Sequence, residues 1–120
     1  MATATTGLKE RLAQESEIQI TVTGRKTRRP ITNTVWFALE GNKLYLLPVK
    51  GTDSEWFKNV LAYPKIKISA GDVEVEFKVT PTTDPNIVSS IVEKFRNKYG
   101  AEDVKKYYSK FDAAVVVDLG

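Results

Sequence analysis

Residues 31–50 read ITNTVWFALEGNKLYLLPVK, and the fold turns on how this stretch is paired. Gly41-Asn42 separates two apolar runs, Ile31 to Leu39 and Leu44 to Lys50, and Gly-Asn tolerates the positive φ of a two-residue hairpin turn. That turn sets Glu40 against Lys43, Phe37 against Leu46, Val35 against Pro48 and Asn33 against Lys50. Both faces of the hairpin are apolar. Val35, Phe37 and Leu39 lie on one face; Trp36, Ala38, Tyr45, Leu47 and Val49 lie on the other. Strands of this kind are covered on both sides. One cover is the domain core; the other is a helix, a second subunit or a planar ligand.

Upstream, Ile18, Ile20 and Val22 alternate with Gln19, Thr21 and Thr23, a half-buried strand that ends at Gly24. The loop Arg25-Lys26-Thr27-Arg28-Arg29 follows, with four cations in five positions. Downstream, Lys50-Gly51 leads into Thr52-Asp53-Ser54-Glu55, which has the spacing of a capping box. The helix expected from Thr52 carries Trp56, Phe57, Val60 and Leu61 on one face and stops at Tyr63-Pro64. In the expected hairpin register the basic loop lies beside Thr52 and Asp53. Side-chain cations, Lys50 and the free N–H groups of a helix start then share one corner, a combination that favours phosphate.

The rest of the chain supplies a frame. Leu8 to Gln14 fits a helical turn or two. Lys65 to Ala70 and Val73 to Thr80 form a second hairpin across Gly71-Asp72, with Glu74, Glu76 and Lys78 on a wet face. Asp84-Pro85 caps a helix with the apolar stripe Ile87, Val88, Ile91, Val92, Phe95 and Tyr99, which ends at Gly100. A short helix carries Val104, Tyr107, Tyr108 and Phe111; Tyr107 or Tyr108 is expected to cover a cavity and offer a phenol proton. Ala113 to Val117 reads as a central closing strand. Six strands without strict βαβ alternation predict a mainly β fold with helices, a small barrel over the single domain 1–120.

Composition restricts the chemistry. With no Cys and no His, thiolate and imidazole mechanisms and their metal sites are excluded, so a reaction here needs an organic cofactor. No metal ligand set is assigned. No apolar run approaches the roughly 20 residues of a membrane helix, and Met1 to Gly7 reads as a flexible polar lead-in to a cytoplasmic protein. A net charge of +3 is small for a nucleic-acid partner.

The elements Gly24-Arg25-Lys26-Thr27, the hairpin, Lys50-Gly51 and Trp56-Phe57-Lys58-Asn59-Val60-Leu61-Ala62-Tyr63-Pro64 resemble the flavin/deazaflavin split-barrel proteins, most closely the deazaflavin-dependent nitroreductases. Arg28 stands where that family usually carries Gly. The resemblance implies a six-stranded split β-barrel of the FMN-binding, pyridoxamine-phosphate-oxidase-like type. It also implies coenzyme F420 or FMN as cofactor, with Arg25, Lys26, Thr27, Lys50 and Gly51 near its phosphate. Asn33 and Thr34 are candidates for the ring edge. The expected activity is hydride transfer between the bound cofactor and a small organic acceptor, in a nitroreductase- or quinone-reductase-like oxidoreductase. A flavin carrier without turnover and a small-barrel nucleic-acid binder are the alternatives. The two-faced hairpin strands are compatible with a homodimer.

Overall fold

The computed structural model describes residues 3–119. Helix α1 (Thr3–Leu12) is followed by β1 (Ile18–Thr23), β2 (Pro30–Val35), β3 (Phe37–Glu40) and β4 (Lys43–Leu46). A single 3-10 turn, Gly51–Asp53, leads to α2 (Glu55–Ala62), β5 (Lys65–Ala70) and β6 (Val73–Thr82). Helices α3 (Pro85–Tyr99) and α4 (Ala101–Tyr107) precede β7 (Ala114–Asp118). The seven strands form one antiparallel sheet in the order β2-β1-β5-β6-β7-β4-β3. Its two edge strands, β2 and β3, are joined through the single residue Trp36. The sheet is therefore curled into a split half-barrel.

The β3-β4 hairpin keeps the expected register, with Phe37 opposite Leu46 and Glu40 opposite Lys43, and Gly41 takes the positive φ of 60°. Beyond Phe37 the register predicted from sequence fails. β2 turns back onto β1, so Asn33 faces Ile20 and Val35 faces Ile18 rather than Lys50 and Pro48. Pro48 has no N–H to continue a ladder, and Lys50 leaves the sheet to make an isolated parallel bridge with Lys110. Two short strands replace one long one, which raises the count from six to seven.

The core has two parts. Inside the curl, Ile18, Ile20 and Val22 of β1 meet Phe37, Leu44, Phe57, Val60, Ile66 and Ile68, sealed by Leu8 and Leu12 of α1. Outside it, Ala38 and Leu47 pack with Val88, Ile91, Val92 and Phe95 of α3 and with Val104 and Tyr108. The second cover over the hairpin is thus α3 with α4. Fully buried aromatics such as Phe37, Phe57 and Phe95 contribute about 3–5 kcal/mol each by comparison with truncation to Ala.

The capping expected at Asp84 is present: its Oδ1 accepts from Asn86 N–H at 2.9 Å and Ile87 N–H at 3.4 Å. The capping box at Thr52 is not formed. Ser54 is the N-cap of α2, and its hydroxyl accepts from Lys50 N–H at 2.8 Å instead of from the helix. Leu61 and Ile87 point to solvent, off the stripes assigned to them. Helix α1 starts at Thr3, within the stretch read as a lead-in, while Met1 and Ala2 lie outside the described residues.

Candidate functional site

Where β2 gives way to β3, the chain opens a cleft of about 470 Å³. Its walls are aromatic and apolar, formed by Trp36, Tyr107, Tyr108, Val35, Leu47 and Val49, with Thr34 and Glu17 as the polar lining. Trp36 is held by ring contacts. It stacks on Tyr99 at 4.2 Å and 11°, and Tyr107 meets it edge-on at 5.3 Å and 74°. The two tyrosines at the end of α4, Tyr107 its last residue and Tyr108 its C-cap, divide between core and surface: Tyr108 is 5% exposed, and Tyr107 is 54% exposed on the cleft wall. Burial pushes the Tyr108 phenol well above its ordinary pKa.

The same corner is fixed by polar contacts. Phe37 lies on the edge strand β3, so backbone groups that face away from β4 need partners from elsewhere. Phe37 N–H donates to Tyr99 Oη at 3.1 Å, and Lys98 Nζ donates to Phe37 O at 2.9 Å. The Tyr99 hydroxyl proton is shared between Ser16 O at 2.6 Å and Phe37 O at 2.9 Å. Burial pushes the Tyr99 phenol up to about 12. Lys98 Nζ also lies 3.4 Å from the Phe37 ring centroid, and burial moves it down to about 8.

A second cleft, of about 290 Å³, lies at the other end of β2 and is lined by Arg25, Lys26, Thr27 and Ile31 with Glu55 and Asn59. Arg25 ties the loop to α2. Its N–H and Nη1 both donate to Asn59 Oδ1, at 3.1 and 2.8 Å, and Nη2 lies 3.1 Å from Glu55 Oε2. The hydrogen bond and charge of Arg25 hold the Glu55 carboxyl below its ordinary range. Lys26, Arg28 and Arg29 make no ion pair among the described residues, so their charges remain available. Arg28 has a φ of 61°, the left-handed conformation that a Gly would adopt without strain.

The corner at Lys50 and Gly51 is filled from within. Asp112 accepts from Thr52 N–H at 2.9 Å and from Thr52 Oγ1 at 2.8 Å. Gly51 is buried at a φ of 56°, and a Cβ there would lie 1.9 Å from Asp112 Oδ1, so the glycine makes room for the carboxylate. Desolvation pushes Asp112 up, but the Thr52 hydrogen bonds and the Lys110 charge outweigh it and hold the carboxyl below its ordinary range. The N–H group expected to meet a phosphate already has an anionic partner.

A family model described as an uncharacterized protein conserved in bacteria (DUF2255) matches residues 9–118. The chain belongs to the DUF2255 family. No curated protein matches it. Solved structures similar to it include an F420-H2 dependent reductase (FDR-A), at 16% identity and a TM-score of 0.67, covering 87% of this chain and 95% of that one. The heme storage protein HutZ from Vibrio cholerae is similar at 12% identity and a TM-score of 0.69, covering 94% and 87%. A NimC/NimA family protein from Clostridium acetobutylicum is similar at 17% identity and a TM-score of 0.66, covering 98% and 80%. At such identities the likeness is one of fold. It establishes the split-barrel fold, here in a seven-stranded form.

Three groups thus emerge from the residues singled out in the DUF2255 sequence. Thr34, Tyr107 and Tyr108 share the aromatic cleft; Arg25, Lys26 and Thr27 share the basic one; Lys50 and Gly51 sit at the Asp112 corner. Asn33 lies on β2 between Ile31 and Val35, on the face that carries Ile18, Ile20 and Val22 of the neighbouring strand. Trp36 in its lining role, Glu17, Asn59 and Asp112 were not singled out. For Trp36 the strand alternation gives only its face; its lining role follows from the break between β2 and β3. Nothing in the spacing of Asp112 from Thr52 announces their pairing. Among the described residues no group of His, Cys, Asp or Glu could hold a metal, and no helix is long and apolar enough to cross a membrane.

Proposed function

We propose that this DUF2255 chain is a cofactor-dependent oxidoreductase that binds a flavin-type ring, of FMN or deazaflavin F420, and transfers hydride to a small organic acceptor. One observation carries the reading: an aromatic cleft and a basic cleft lie at the two ends of β2, the first lined by Thr34 and Val35, the second by Ile31. Four residues of strand separate them, about 14 Å at roughly 3.4 Å per residue. A planar ring with a phosphate-bearing side arm spans such a distance. The likeness of fold to an F420-H2 dependent reductase supports the same reading.

The residues present fit both parts of the group. Trp36, Leu47, Val49 and Tyr107 would hold the ring, with Thr34 as a polar partner at its edge. Asn33, half-buried between the clefts, would meet the side arm. Lys26, the Thr27 hydroxyl and Arg25 would hold the phosphate. The proposed phosphate grip thus rests on the Gly24–Arg29 loop rather than on Lys50 and Gly51, because Thr52 N–H is committed to Asp112. When bound, the ring supplies the two-electron chemistry that a chain without His or Cys lacks. The protein orients the ring, excludes water from one side and offers the accessible Tyr107 hydroxyl as a proton source for the acceptor. The cytoplasm is the proposed setting, and a homodimer, with a second copy over the open side of the barrel, the proposed assembly.

The test is to mix the protein with reduced F420, or with FMN and a hydride donor, and follow oxidation of the ring by menadione or a nitroaromatic. Turnover proportional to protein is expected, together with saturable binding of at least one of the two cofactors. Binding without turnover would identify a carrier, as the fold of a heme storage protein allows. Absence of binding for both would refute the reading.

A further inference from the structure

The aromatic cleft has an electrostatic sign opposite to that of the chain as a whole. The protein carries a formal charge of +3, yet among the described residues the only charged side chain lining this cleft is the carboxylate of Glu17. Glu17 is exposed and makes no ion pair among the described residues. It also lines the adjoining cleft, which shares Thr34 and adds Glu15, whose carboxylate is ion-paired with Arg11 at 3.5 Å. The ammonium of Lys98 is drawn onto Phe37 O and the Phe37 ring and does not line the cleft. The remaining walls are formed by the rings of Trp36, Tyr107 and Tyr108; ring faces carry negative potential that attracts cations, and the Lys106 ammonium already lies 5.6 Å from the Tyr107 ring centroid without lining the cleft.

From these aromatic walls and one unneutralised carboxylate, we propose that the Glu17 side of the cleft, beside the place taken by the ring at Trp36, selects a flat organic cation, a planar apolar body bearing a quaternary or protonated nitrogen, as the small molecule that meets the bound ring. The proposal rests on the reading of this cleft as a site for planar molecules and adds the charge of its substrate class. The division of labour along β2 follows: anionic groups are drawn to the Gly24–Arg29 loop, cationic ones to the Trp36 end. A ring face and a partly exposed carboxylate each contribute modestly, and together they correspond to about a tenfold preference over a neutral molecule of the same shape.

The experiment measures affinity by the shift of the Trp36 indole N–H resonance, with N-methylquinolinium as the cation, 2-naphthylmethanol as the neutral probe and 2-naphthoate as the anion. Riboflavin is titrated in parallel. In the wild type the cation is expected to bind about tenfold more tightly than the neutral probe, and the anion more weakly than either. Glu17→Gln, an exposed substitution that leaves the melting temperature unchanged, is expected to weaken the cation about three- to fivefold and leave the neutral probe unaffected. If riboflavin moves Trp36 while the three probes bind alike, or the anion binds best, the cation proposal is overturned and the ring reading stands. If the cation binds in a Glu17-dependent way and riboflavin does not bind, the flavin reading fails and this proposal stands. Failure of the cation to move Trp36 at millimolar concentration also overturns it.

Discussion

Asp112 shows how one side chain changes what a motif means. Lys50-Gly51-Thr52 reads as a phosphate corner until the carboxylate 60 residues later in the chain is seen to accept both Thr52 donors. The carboxyl is held below its usual range, so its contribution to stability is present above the unfolded pKa of about 3.8 and is lost as pH falls through the lower folded value. Asp112→Asn removes that dependence. Near neutral pH the variant should be less stable by about 1–2 kcal/mol, because charge-assisted hydrogen bonds are replaced by neutral ones. As the pH falls through the folded value of the carboxyl, the gap to the wild type should close. Urea unfolding followed from neutral pH down through that titration checks this, and a gap that stays constant would show that Asp112 acts through its shape alone.

The junction of β2 and β3 is where a strand pattern was misread and where the site arises. Ile31 to Leu39 alternates like one strand, and only tertiary pairing breaks it: β2 is drawn onto β1, Pro48 ends β4, and Tyr99 on α3 takes the outward N–H of Phe37. The hairpin turn, the alternation of β1 and β6, the Asp84 cap and the central position of β7 were legible because each is a local pattern. The partner of β2, the Asp112 corner and the lining role of Trp36 were not legible, because each depends on contacts between distant segments. Tyr99→Phe tests the junction. Loss of the hydroxyl leaves Phe37 N–H unpaired and should cost about 1–3 kcal/mol. Because the folded Tyr99 phenol titrates near 12 against about 10 unfolded, wild-type stability should fall as pH rises through that window. The variant should lose part of that alkaline limb. An alkaline limb identical to the wild type's would contradict the buried phenol.

Across the whole molecule, the edge strand β2 runs between two clefts of unlike character, one aromatic with a carboxylate, the other basic. Sheet closure elsewhere is complete enough to bury Ile18, Ile20 and Val22 on the strand beside it. Half-exposed Ile31 and half-buried Asn33 and Val35, paired with those residues, are the less covered part of this edge. A single ligand is proposed to lie along this strand, ring at Trp36 and phosphate at Lys26-Thr27. The most direct test is an amide and indole NMR titration with FMN and with riboflavin. FMN should move the Trp36 indole and Thr34 signals together with those of Lys26 and Thr27, riboflavin should move only the first pair, and Gly51 and Thr52 should stay still in both. Shifts centred on Gly51 and Thr52, or shifts at Lys26 and Thr27 that do not depend on the phosphate, would contradict it.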